Sequence, residues 1–190
     1  MANKAIEFAQ NDKKLYDVIA QTVGMNLYKE ENYVDALNWL FGLKHGNFVN
    51  HIAKTLVDEM MGMEIDDFLY KFDILSVRQE VRSSTALLSF IEQYTEYTKF
   101  VSGRNPITDY PEALKRLLKM IKDQVIPVEY MGKILIEFLP LIKEKIASTE
   151  ELEVLMMALA GYEVELNRNK EVKEIRRVLS EAYQTAILNT

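Results

Sequence analysis

Apolar residues recur along this chain at intervals of three and four, and no stretch alternates apolar with polar for long enough to make a strand. That spacing gathers side chains on one face of a helix, so the chain is expected to fold from helices alone. Leu114, Leu117, Leu118, Ile121 and Val125 form one stripe, and Phe48, Ile52, Ala53, Leu56 and Met60 another. Ile65, Phe68, Leu69 and Phe72 make a third, and Val172, Ile175, Leu179, Ala182 and Ala186 a fourth.

Capping residues mark where these helices begin. Ser148 with Glu151 three residues on is a capping box, in which each side chain can accept the other's backbone N–H, and Asn32 with Asp35 is a weaker version. Ser76 with Gln79 repeats the pattern ahead of Val77, Val81, Leu88, Ile91 and Val101, predicting one long helix that stops at Gly103. Asp109 is expected to cap a helix with Pro111 in its first turn, where a missing N–H costs nothing. Pro127 is expected to start a helix, and Pro140 to kink one or begin a new one. Helix starts fall near residues 12, 32, 47, 65, 76, 111, 128, 149 and 170, an irregular spacing with no repeated residue pattern, which argues against a tandem-repeat solenoid. The expected architecture is all-α, a multi-helix bundle of about eight or nine helices. It forms a single domain over residues 1–190, with the Gly, Pro, Asn and Ser of residues 102–111 as a plain inter-helix loop or else a hinge or sub-domain boundary.

Composition narrows the function classes. Apolar residues at 48% and charged residues at 27% are those of a globular chain, which excludes disorder. The absence of cysteine excludes disulfides, thiolate metal sites and cysteine nucleophiles. With no apolar leader after the first residues and no Asn-x-Ser/Thr acceptor, a cytoplasmic address is expected. The most apolar run, Ile134 to Ile142, is interrupted by Glu137 and Pro140 and is much shorter than the roughly 20 residues of a membrane span.

No motif assigns a reaction. His45 and His51, the only imidazoles, are six residues apart and do not share a helical face as metal ligands would. His51 falls on a polar helix side with Asn47, Lys54, Thr55 and Asp58, the place of a solvated histidine. Carboxylates cluster at Asp58-Glu59, Asp66-Asp67 and Glu150-Glu151-Glu153; the last group sits in the first turn of its helix, where the dipole favours negative charge, and Asp67 can pair with Lys71. The seven glycines form neither a phosphate loop nor a dinucleotide fingerprint, so no cofactor is expected. An enzyme ranks third among the readings.

Nucleic acid ranks second. The formal charge of −6 opposes binding to a polyanion, but residues 168–177 carry five basic side chains against two acidic ones, and residues 112–123 are also rich in lysine. Residues 32–61 read as helix, turn, helix, with Asn47, Asn50, His51 and Lys54 exposed. These four, with Lys173, Arg176 and Arg177, are the candidate nucleic-acid contacts.

Protein association ranks first, and its evidence lies in residues 152–166. Leu152, Leu155, Leu159, Tyr162 and Leu166 make one apolar face, while Val154, Met157, Gly161 and Val164 make another on a different side. A surface helix needs only one such face. The second is expected to meet a protein partner or another copy of the chain, although central burial of both faces is the rival explanation. The chain is read as a non-enzymatic helical protein, in a regulatory role or otherwise, that acts by association.

Overall fold

The structure, a computed structural model, describes residues 13–43, 46–101, 106–143, 147–166 and 169–188. Within them the regular structure is helical. The ten α-helices are α1 (Lys13–Lys29), α2 (Tyr33–Leu40), α3 (Gly46–Gly62), α4 (Ile65–Lys71), α5 (Gln79–Arg82), α6 (Ala86–Val101), α7 (Pro106–Lys122), α8 (Val128–Lys143), α9 (Thr149–Leu166) and α10 (Asn169–Leu188). Short 3-10 turns lie at Phe41–Leu43 and Ile74–Ser76. The all-α expectation holds, with slightly more helices than eight or nine.

Part of that excess has a physical cause. The long helix predicted to begin at Ser76 is two helices, interrupted at Ser83, Ser84 and Thr85. The Ser83 hydroxyl donates to the Gln79 carbonyl at 3.0 Å and the Ser84 hydroxyl to the Val81 carbonyl at 2.6 Å. Thr85 Oγ1 accepts the Leu88 N–H at 3.1 Å and so caps a fresh helix. Three adjacent hydroxyl side chains thus compete with the backbone ladder. Ser76 is no capping box either, because its hydroxyl donates to the Asp73 carbonyl at 2.7 Å. The apolar stripe survives the interruption, with Val77, Val81, Leu88 and Ile91 all buried.

Further local expectations shift. α7 starts at Pro106, so Asp109 lies in its first turn rather than ahead of it, and Pro111 stands inside the helix. Pro140 lies inside α8, which continues to Lys143, so no new helix begins there. Lys71 pairs with Glu59 at 2.9 Å and not with Asp67. Of the candidate hinge, residues 102–105 fall outside the described residues, as do Lys44 and His45 of the turn in the 32–61 segment.

The chain divides into two compact units, residues 1–91 and 92–190. In the first, α2 packs against α1 and α3, and α3 meets α4. Gly24 sets the approach of α1 to α2, since a Cβ there would lie 2.5 Å from Leu40 Cγ. Val34, Ala36, Leu37 and Leu40 are buried, so α2 is core on most sides. In the second unit α9 contacts α7, α8 and α10, and α8 also meets α10. Leu117, Ile134, Phe138, Leu155, Ile175 and Leu179 fill its core.

Candidate association surfaces

α9 begins as its sequence requires. The Ser148 N–H donates to Glu151 Oε2 at 2.8 Å, and the Glu151 N–H donates to Ser148 Oγ at 3.3 Å. This fixes where the helix starts, and hence which side chains face its neighbours. Leu152, Leu155 and Leu159 are buried among the helices that α9 touches. On the outer side Tyr183 of α10 donates its hydroxyl to Glu153 Oε1 at 2.9 Å, tying the two helices together at the surface.

The second face lies elsewhere on the helix. Met157 is 75% exposed, Val154 is half-buried, and Gly161 is exposed with no atom within 4 Å of where a Cβ would stand. Val164 lies in the helix, but its side chain falls outside the described residues, as do those of Tyr162 and Leu166. α9 is therefore central to its unit through its leucines, while Met157 remains in water.

The predicted nucleic-acid contacts fall on α3 of the first unit and α10 of the second. Asn47, Asn50, His51 and Lys54 are exposed on α3. Lys54 faces Asp58 at 3.4 Å, and His51 Nε2 lies 2.8 Å from the Tyr28 hydroxyl, with the two rings 5.5 Å apart. His51 is thus anchored to α1 and is not simply solvated. Lys173, Arg176 and Arg177 are exposed on α10. Arg177 is held by Glu174 at 2.7 Å and Glu181 at 2.7 Å, and these hydrogen bonds, that to Glu174 foremost, raise its guanidinium above its ordinary pKa. A guanidinium already shared by two carboxylates has less to offer a phosphate.

A cationic stripe stands instead on α7. Lys115, Lys119 and Lys122, spaced by four and three, are all exposed on one side of that helix. Their spacing was legible within the basic 112–123 segment, but sequence alone did not show which basic segments were already neutralised. Among the described residues no group of three or more His, Asp or Glu is placed to hold a metal ion. None of their helices is long and apolar enough to cross a membrane.

Comparison with known proteins supplies the frame for these surfaces. The family model described as Nup85 Nucleoporin matches residues 1–160, which end within α9. No curated protein matches the chain. The family match overturns the cytoplasmic expectation, because a nucleoporin family points to the nuclear pore. The sequence argument failed there because lack of cysteine speaks to redox environment and not to a place within the cell. Nucleoporins work in protein–protein assembly, which agrees with the association reading and implies protein partners in a complex. With 160 of its 190 residues covered by that match, the chain belongs to the Nup85 nucleoporin family.

Proposed function

We propose that the chain is a non-enzymatic helical component of a nuclear-pore assembly, and that Val154, Met157, Gly161 and Val164 on α9 form one of its contact faces. The observation that carries this reading is the 75% exposure of Met157 on a helix whose leucines already fill the core of its unit. Removing a methionine side chain of that size from water contributes roughly 1.5 to 3 kcal/mol, and the bare Gly161 backbone lets a partner approach closely. Methionine also adapts its shape to what packs on it.

Affinity purification of the tagged chain from nuclei tests the proposal. The parent should recover pore proteins and Met157→Glu should recover fewer, with an unchanged melting curve, because the substituted carboxylate stays in water until a partner covers it. Equal recovery by parent and variant would move the interface off this face. No pore protein with either, together with a monomeric mass at all concentrations, would remove the assembly reading itself.

A further inference from the structure

The lysine stripe of α7 borders a groove of about 570 Å3 between α7 and the start of α9, lined by Lys115, Arg116, Leu118, Lys119, Lys122 and Glu151 among others. Its charges are not equally free. Arg116 is engaged by Glu96 and Glu112, both at 3.4 Å, and Glu151 is committed to the Ser148 cap. Asp123 accepts from Gln93 Nε2 at 3.3 Å. Lys115 has only a 3.4 Å contact with Glu112 and its side chain is 76% exposed, whereas Lys119 and Lys122 have no ion pair among the described residues. The groove's uncommitted charge is therefore positive, on a protein whose formal charge is −6.

We propose that this groove receives an acidic amphipathic helix of a protein partner, an inference that rests on the reading of the chain as an assembly protein. Two turns separate Lys115 from Lys122, about 10 Å along the axis, which matches carboxylates repeated at the same four-and-three interval on a facing helix. The lysine stems supply apolar surface for leucines beside those carboxylates, while the ammonium groups reach their partners. A nucleic-acid duplex fits less well. Its continuous, regularly spaced phosphates would also meet Glu112, Asp123 and Glu151, which line the same groove.

Fluorescence anisotropy on the full chain provides the test, with a synthetic helical peptide carrying Glu at the four-and-three interval flanked by leucines. A second peptide with Lys in place of each Glu serves as its mirror. The parent should bind the Glu peptide in a salt-sensitive manner, and Lys119→Glu/Lys122→Glu should weaken it by about tenfold or more while gaining affinity for the Lys peptide. Should the reversal lower the melting temperature, the neutral Lys119→Gln/Lys122→Gln pair replaces it, with the same loss expected for the Glu peptide.

Undiminished binding by the variants, no binding by the parent, or tighter binding to duplex DNA or phosphatidylserine vesicles would each overturn the proposal. Recovery of pore proteins by the parent in the nuclear purification would still leave the assembly reading intact.

Discussion

Two residues show how closely this fold is fitted. Gly24 is buried where α1 crosses α2, and the atom an added methyl would strike is Leu40 Cγ, a branch point that cannot swing aside as a chain end could. Leu40 is itself fully buried. Gly24→Ala gains about 1 kcal/mol of helix propensity but overpacks the crossing by about 1 to 3 kcal/mol. A net loss of about 1 kcal/mol is expected in urea denaturation, and a gain would show that the crossing can relax. Tyr97 poses the opposite case. It is fully buried against Tyr94 and Phe138, and its hydroxyl has no hydrogen-bond partner among the described residues. Burial, reinforced by the Glu137 carboxylate, pushes its phenol well above the ordinary 10.0. Because the hydroxyl loses its water on folding and gains no bond in return, Tyr97→Phe should be neutral or stabilising by about 1 kcal/mol. A clear destabilisation of that variant would mean that a buried water serves the hydroxyl.

Among the elements, α9 and the α5–α6 pair behave differently for reasons of side-chain chemistry. Both ends of the Ser148–Glu151 box find their partners, and the acidic first turn meets the positive end of the helix dipole. Ser148→Ala should cost about 1 kcal/mol in thermal or chemical denaturation, and no loss would make the cap ornamental. The Ser76–Gln79 pattern has the same letters but a different outcome. Its serine turns back to Asp73, while Arg78 binds Asn38 of α2 through its own N–H at 3.3 Å and through its guanidinium at 2.9 Å. A contact between residues forty positions apart thus holds the start of α5, and no local pattern announces such a contact. The serine–threonine run that ends α5 was visible in the sequence, and the local rule about competing hydroxyls outranked the apolar period there.

For the whole molecule, the division into two units falls within α6, whose Leu88, Phe90 and Ile91 are buried on one side of it in sequence and Tyr94 and Tyr97 on the other. We propose that residues 1–190 nonetheless unfold as a single domain, since an unbroken helix cannot melt at one end without loosening core side chains at the other. Calorimetry should then give one transition, with calorimetric and van't Hoff enthalpies equal and near 130 kcal/mol at about 0.7 kcal/mol per residue. Two resolved transitions would separate the units. The surfaces, in contrast, are properties of neither unit's core. Met157 on α9 and the lysines of α7 stand outward from helices whose inner faces are already filled.

What the amino-acid sequence determined by itself was the helical class, the caps at Asn32 and Ser148, and the apolar stripes, because each depends on residues within four positions of one another. Leu114, Leu117 and Leu118, or Ile52, Leu56 and Met60, lie buried as their spacing required. The second face of α9 was also legible as a pattern, but whether it was wet or buried was not. Exposure depends on which helices pack around α9, and these come from α7, α8 and α10, up to dozens of residues away. Only the tertiary structure decided that Met157 remains open and that Lys71 chooses Glu59, twelve residues away, over Asp67. Charge can be counted along a chain, but its neutralisation depends on distance in space.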